Sequence, residues 1–157
     1  MNDGQVEYLL IGGMNFLLRH QPVLTFDVDL WINDREANRR HCERALESLD
    51  AEWGESDSDW GKVARRRSGW LDRQLVFCLT SPSGAIDIFR SVTGLPDWAA
   101  SRGRASRDRT ASGTPYWGLS DEDMLRCQLA LELPYQKSQR IATLERVLRE
   151  QNRDGNA

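Results

Sequence analysis

The sequence IGGMNFLLRHQPVLTFDVDL, residues 11–30, decides the fold. The run Tyr8-Leu9-Leu10, which stands directly before it, predicts a short buried strand that ends at Ile11. Gly12-Gly13 predicts a tight turn directly after that strand. A turn of two glycines lets the backbone approach a phosphate closely, with N–H groups free to donate hydrogen bonds. The beginning of the stretch therefore predicts a turn that can bind phosphate.

The other end of the stretch carries two aspartates, Asp27 and Asp29, on a predicted strand over residues 24–32. Residues two apart on a strand point to the same face, so we expect the two carboxylates to lie side by side. Carboxylates that close repel each other unless a cation lies between them. Mg²⁺ binds a few carboxylates and keeps coordination positions open for phosphate oxygens. The pair therefore predicts a divalent metal site that faces a phosphate.

A third carboxylate can complete this site. Asp87 lies between two apolar residues in Ile86-Asp87-Ile88, on a predicted strand over residues 85–89. The turn Ser81-Pro82-Ser83-Gly84 predicts that this strand forms a hairpin with a strand over residues 71–79. If the hairpin lies beside the Asp-x-Asp strand, Asp87 can meet that pair. Its role would be that of a metal ligand or of a base toward an attacking hydroxyl.

These three parts, in this order, resemble the DNA polymerase β-like nucleotidyltransferase superfamily. The signature of that superfamily is a hydrophobic-Gly-Gly/Ser turn, an Asp-x-Asp pair and a later single acid between apolar residues. The matching segments are Ile11-Gly12-Gly13, Asp27-Val28-Asp29-Leu30 and Ile86-Asp87-Ile88. Residues 9–30 are most similar to the small stand-alone members, which include minimal nucleotidyltransferases and toxins of toxin–antitoxin systems.

The resemblance implies an α/β (α+β) nucleotidyltransferase fold, in which a short mixed β-sheet packs on helices and further helices follow at the C-terminal end. It implies that three acids hold Mg²⁺, or Mn²⁺, and carry catalysis: Asp27, Asp29 and Asp87. It also implies that Gly12 and Gly13 bind the triphosphate of an NTP. Thr25 could contact the nucleotide or brace Asp27, or it could simply favour the strand because it is β-branched. The implied acceptor is a hydroxyl of RNA, of a protein or of a small molecule, and a toxin of this kind would have an antitoxin protein as partner.

The sequence departs from the small members at several positions. Gln21 and Val23 stand where their His-Gly and Arg-x-Thr motifs have glycine and arginine. Many relatives carry a lysine near the position of Gln128. Arg140 lacks the acid that completes the relatives' Arg-x-x-Asp. These departures bear on nucleotide affinity and on the choice of substrate more than on the fold.

The whole chain predicts one domain, with a catalytic core over residues 1–118 and a C-terminal helical segment over residues 119–157 packed on it. Pro22 is expected to end a short helix over residues 14–19, because proline lacks the N–H that a helix needs. Further helices are predicted from a cap at Asn33 or Asp34 to about Leu49, from Ser120 with Asp123 in a capping box to about Leu133, and over residues 138–149. The charged residues 50–67 predict an exposed connection, and residues 92–117 show no clear pattern.

Composition narrows the classes of function. Three cysteines far apart in the chain predict no disulfide framework and favour a reducing, cytoplasmic location. No apolar run approaches the ~20 residues that a membrane span needs, so no membrane partner is expected. The formal net charge of −3 offers no global attraction to nucleic acid. Local attraction is possible at Arg65-Arg66-Arg67, which tryptophans flank, and at the four arginines between Arg102 and Arg109; each stretch could equally be a solvated loop.

Two other classes of function stay open from the sequence. The same fold could be a non-catalytic module that binds a nucleotide or a partner without turnover. The chain could also be a pure interaction protein that uses its tryptophans and Arg65, Arg66 and Arg67. An enzyme should release pyrophosphate from Mg²⁺-NTP in the presence of an acceptor, a binding module should bind Mg²⁺-NTP without release, and an interaction protein should be indifferent to both.

Overall fold

The computed structural model of the protein describes residues 1–20 and 23–155. The helices are α1 (Gly12–Arg19), α2 (Glu36–Ser48), α3 (Trp98–Arg104), α4 (Asp121–Ala130) and α5 (Ser138–Asp154). The strands are β1 (Tyr8–Ile11), β2 (Asp27–Ile32), β3 (Glu52–Trp53), β4 (Gly61–Lys62), β5 (Val76–Ser81), β6 (Gly84–Phe89), β7 (Ser106–Arg109) and β8 (Pro115–Gly118). Short 3₁₀ helices lie at Asp57–Asp59, Val63–Arg65, Trp70–Asp72 and Leu133–Tyr135.

The strands form a mixed sheet in the order β4-β3-β5-β6-β2-β1-β8-β7. In the middle of this sheet, β2 is antiparallel to β1 and parallel to β6. The predicted hairpin is confirmed, since β5 and β6 pair antiparallel around the turn. The expected mixed α/β architecture is therefore confirmed. Every helix within the described residues is too short or too polar to span a bilayer.

Side chains of the central strands point alternately to the two faces of the sheet and so contribute to two apolar clusters. Leu10, Leu30 and Ile32 point into a cluster that includes the buried apolar residues of α2. Trp31 points the other way, into a cluster that contains buried residues of α1, α4 and α5. Because side chains two apart share a face of the sheet, Asp29 of β2 lies on the same face as Trp31. The acids of β2 thus project toward the side on which the C-terminal helices pack.

The predicted beginnings of two elements near the Gly-Gly pair were wrong. Gly12-Gly13 opens α1 directly and is not a separate turn, with Gly12 in the left-handed region at φ +66°. Strand β2 begins at Asp27 rather than at residue 24. Leu24 and Phe26, which precede it, are 82% and 80% exposed, so no buried face holds them in the sheet. The expectation for Pro22 lies outside the described residues.

The predicted cap of α2 was also wrong. The helix begins after Arg35 and has no side-chain cap. The carboxylate of Asp34 instead accepts hydrogen bonds from Arg39 and Arg90, at 3.0 Å and 2.7 Å. Ionic hydrogen bonds to guanidinium groups are stronger than a bond to a neutral backbone N–H, so they take this carboxylate away from the helix end.

The segment between α2 and β5 is folded, contrary to the expected exposed connection. Trp53 and Trp70 are buried, and their rings stack with centroids 5.5 Å apart. The predicted strand over residues 71–79 was wrong at its beginning, because Trp70–Asp72 forms a 3₁₀ helix and β5 starts only at Val76. The carboxylate of buried Glu43 accepts the backbone N–H groups of Gly69 and Leu71, at 3.0 Å each, and so stabilises this turn.

At the C-terminal end, the predicted cap is confirmed but the helix lengths differ. Ser120 Oγ accepts the backbone N–H of Asp123 at 3.2 Å, as a capping serine does. Helix α4 ends at Ala130, short of Leu133, and α5 continues to Asp154. Residues 92–117, which showed no clear pattern, contain α3, β7 and β8.

Candidate active site

The structure brings the three predicted acids together. Strands β2 and β6 are parallel neighbours, and their register pairs Asp29 with Asp87. Residues paired in register point to the same face of a sheet, and Asp27 lies two residues away on that face. Each of the three side chains offers an oxygen within 4.8 Å of the others. Three partly buried carboxylates therefore converge at one end of the central strands.

The Gly-Gly pair lies directly beside the carboxylate of one of these acids. The N–H of Gly13 donates a hydrogen bond to the Asp29 carboxylate. A Cβ added to Gly12 would overlap that carboxylate, and the positive φ of Gly12 also disfavours a side chain. A Cβ added to Gly13 would lie 3.1 Å from Arg140 Nη2. The two glycines thus allow α1 to begin in direct contact with the acids.

The electrostatics of the cluster favour a cation. Burial and the charges of Asp27 and Asp87 raise the pKa of Asp29 to about 6, although Arg140 and the Gly13 N–H act in the opposite direction. Burial and Asp27 also raise the pKa of Asp87, against a hydrogen bond with the Cys78 thiol. Crowded carboxylates are costly when charged and gain from a bound cation. The arrangement can therefore hold a positive ion or a proton.

Thr25 contacts the first acid of the pair. Its hydroxyl lies 3.1 Å from Asp27 Oδ1 and donates a hydrogen bond to that carboxylate. The contact fixes the orientation of Asp27 at the first position of β2. Thr25 therefore braces the acid in this structure.

Arg140 joins the site although the sequence did not assign it there. It lies in the first turn of α5, and its guanidinium group lies beside Gly13, where a Cβ would meet it, and lowers the pKa of Asp29. A cavity of about 150 Å³ beside the acids is lined by Gly12, Asp29, Gln128 and Arg140 among apolar side chains. Arg140 matches the arginine of the relatives' Arg-x-x-Asp motif, although this chain lacks the acid. That match was the signal in the sequence for this position.

Cys78 is a second neighbour that the sequence did not assign. It lies opposite Asp87 in the β5–β6 register. The predicted turn contained the signal, because a hairpin with Ser81 and Gly84 as its closing pair also pairs residue 78 with residue 87. The thiol therefore lies beside the third acid, on the side away from the glycines.

The stretch Arg65-Arg66-Arg67 lies on the segment that joins α2 to β5, and its members differ in their surroundings. Arg66 donates hydrogen bonds to the backbone oxygens of Trp53 and Asp59, at 2.6 Å and 2.7 Å, and its guanidinium carbon lies 4.6 Å from the Trp53 ring centroid. Arg65 and Arg67 are exposed. Only those two have side chains directed to solvent, while Arg66 stabilises the segment.

Comparison with known proteins adds no assignment. No protein-family model matches the sequence, and a search of curated proteins found no match. The superfamily resemblance therefore rests on the motifs and remains a prediction.

Proposed function

We propose that the protein is a metal-dependent nucleotidyltransferase with the DNA polymerase β-like fold. It transfers a nucleoside monophosphate from an NTP to a hydroxyl acceptor and releases pyrophosphate. The observation that carries the proposal is the convergence of Asp27, Asp29 and Asp87 on adjacent parallel strands, in contact with a helix that opens on two glycines. In such a reaction, positioning and charge stabilisation supply most of the catalysis.

The donor set fits a hard divalent cation. Three carboxylate oxygens within 4.8 Å of one another suit Mg²⁺ or Mn²⁺, which prefer oxygen ligands. Asp27, Asp29 and Asp87 would hold the ion. When bound, it would neutralise the triphosphate and align the reacting oxygens.

The chain's own groups divide the remaining tasks. The beginning of α1 offers backbone N–H groups and a favourable dipole to the phosphates. Arg140, next to Gly13, adds a cation that can bind a phosphate oxygen. Asp87 lies on β6, a different strand from Asp27 and Asp29, and on this proposal it takes the proton of the acceptor hydroxyl.

Incubation with each labelled NTP, Mg²⁺ and either total RNA or cell extract tests this function. The protein should transfer label to an acceptor and release pyrophosphate, and EDTA should stop both. The variant Asp27→Asn/Asp29→Asn should fold, as circular dichroism would show, but should lose Mg²⁺-dependent NTP binding. Binding of Mg²⁺-NTP without release of pyrophosphate would favour the non-catalytic module, and unchanged affinity in the double variant would contradict the site.

Asp87→Asn separates binding from chemistry. Asparagine has the same shape but takes no proton, so the variant should keep most of its NTP affinity and lose at least ~100-fold in turnover. That loss corresponds to about 2.7 kcal/mol of barrier. Single-turnover rates and calorimetric NTP affinities measure the two effects, with Asp57→Asn on an exposed 3₁₀ helix as the charge-matched control. Full activity in Asp87→Asn would place the base elsewhere.

A further inference from the structure

A cavity of about 510 Å³, larger than the one beside the acids, lies at the other end of β1. Its lining includes Tyr8, Trp98, Arg102, Arg107 and Trp117. We propose that this cavity anchors single-stranded RNA, and that the RNA is the acceptor of the transfer; this second part rests on the proposed function. Arginine guanidinium groups would bind the phosphates, and the aromatic rings would stack on a base.

The four arginines between Arg102 and Arg109 fall into two pairs. Arg104 makes a salt bridge with buried Asp123 at 2.9 Å, and Arg109 donates a hydrogen bond to the backbone oxygen of Gly113 at 2.8 Å. By contrast, the side chains of Arg102 and Arg107 have no hydrogen-bond or ion-pair partner within residues 1–20 and 23–155. These two keep their donors free for an anion, and both line the cavity.

The ring of one tryptophan lies close to both free guanidinium groups. The guanidinium carbon of Arg102 lies 3.4 Å from the Trp117 ring centroid, and that of Arg107 lies 5.9 Å from it. Arg107 also pairs with Trp117 in the β7–β8 register. Stacking on the indole orders the guanidinium groups while leaving their N–H groups available. The pair is therefore arranged for an anion before a ligand binds.

The surroundings favour RNA over an acidic protein. Trp98 supplies a second aromatic wall, fixed by a hydrogen bond from its indole N–H to the Trp31 oxygen at 3.2 Å. Bases stack on such walls, whereas acidic side chains gain little from them. A phosphodiester with its base uses both kinds of group that the cavity offers.

The position of the cavity suits an acceptor that continues to the acids. Tyr8 lines the cavity, and Ile11 at the other end of β1 pairs with Asp29. The three residue steps from Tyr8 to Ile11 span ~10 Å of extended strand. Trp117 packs with the apolar cluster on the sheet face of the acids. The cavity and the acids therefore lie within the length of a short single strand of each other.

Binding of a fluorescent single-stranded RNA, measured by anisotropy in EDTA without NTP, tests the anchor independently of catalysis. Arg102→Gln/Arg107→Gln should weaken binding at least tenfold and flatten the slope of log K against log salt by about 1.4, since each phosphate contact on a single strand contributes about 0.7. Arg102→Lys should lose part of the affinity but keep the slope, because it keeps the charge and loses the planar stack. Arg44→Gln/Arg153→Gln, which removes two exposed charges elsewhere, is the matched control.

Each outcome decides the inference. Loss of RNA affinity in the cavity variant alone, with Mg²⁺-NTP affinity unchanged, supports the anchor; the same variant should then show lower kcat/KM for RNA. If the parent transfers no label to any acceptor, yet its RNA affinity depends on Arg102 and Arg107, the proposed function fails and the RNA site stands. No RNA binding by the parent, an equal loss in the control, or binding only of a labelled oligoglutamate would overturn the proposal.

Discussion

The carboxyl of Asp29 is less acidic than that of an unfolded chain, since burial and two neighbouring acids raise its pKa to about 6. The folded state therefore binds a proton more tightly than the unfolded state, and stability should fall as pH rises from about 4 to 6 and stay lower above that. A pKa shift of about two units corresponds to about 3 kcal/mol of stability. Screening by water on the open side of the carboxyl lowers this contribution to about 1 kcal/mol. Asp29→Asn should remove this contribution.

Thermal unfolding in EDTA between pH 4 and pH 8 measures the effect. At pH 7.5 the Asp29→Asn variant should melt about 2–4 °C above the parent, and the difference should vanish near pH 4. Asp57→Asn, at an exposed acid, should follow the parent at every pH. A constant difference across the pH range would show that the charge of Asp29 is not the cause.

Gly12 is required for a geometric reason. It adopts φ +66°, and a Cβ at this position would overlap the Asp29 carboxylate. Gly12→Ala should lower the free energy of unfolding by about 1–3 kcal/mol and weaken Mg²⁺-NTP binding, because the acid must move. Gly103→Ala is the control, since its Cβ would meet open space in α3 and should stabilise the protein by about 0.5–1 kcal/mol. Normal NTP affinity in Gly12→Ala would contradict the proposed contact.

Among the elements, the segment between α2 and β5 depends on Arg66, one of the three consecutive arginines Arg65-Arg66-Arg67. Arg66 bonds two backbone oxygens and covers the Trp53 ring, so Arg66→Ala should lower the free energy of unfolding by about 2 kcal/mol. Arg65→Ala and Arg67→Ala should each stay within about 0.5 kcal/mol of the parent, because both side chains are exposed. Urea unfolding measures the three variants. Equal losses in all three would contradict this division, and any RNA test of the stretch should use Arg65 and Arg67 alone.

The elements also show why some were predicted and others were not. The β5–β6 hairpin could be predicted because a four-residue turn stands between two apolar runs, and local residues set its register. Strand β7 could not, because Ser106–Arg109 is polar throughout and is extended only by its pairing with β8. Likewise, Leu71 was read as strand from its hydrophobicity, but it is buried in a 3₁₀ turn that Glu43 holds from another element. Tertiary contacts decided both cases.

Across the whole molecule, the residues of the candidate site differ in how far along the chain their neighbours lie. Asp27 and Asp29 could be placed from the period of one strand, and Asp87 from one assumption about strand order. The place of Arg140 depends on how α5 packs against the core, where Leu144 is buried, and a single amphipathic helix does not reveal its partner. The Arg102–Trp117 contact likewise requires α3 and β8 to meet in space. Contacts between segments far apart in the sequence were therefore harder to predict than the chemical roles of the residues.

Arg140 links the C-terminal helix to the acids, so its removal should affect both nucleotide binding and proton binding. Arg140→Gln should weaken Mg²⁺-NTP binding about tenfold, which lowers the stabilisation by saturating nucleotide by about 1.4 kcal/mol. In EDTA the pKa of Asp29 should rise further, because Arg140 lowers it in the parent, and the pH-dependent loss of stability should move to higher pH. Arg149→Gln, at an exposed position of the same helix, should change neither quantity. Thermal shifts with and without Mg²⁺-NTP, repeated across pH, test both effects, and a variant equal to the parent in both would show that α5 covers the core without taking part in the site.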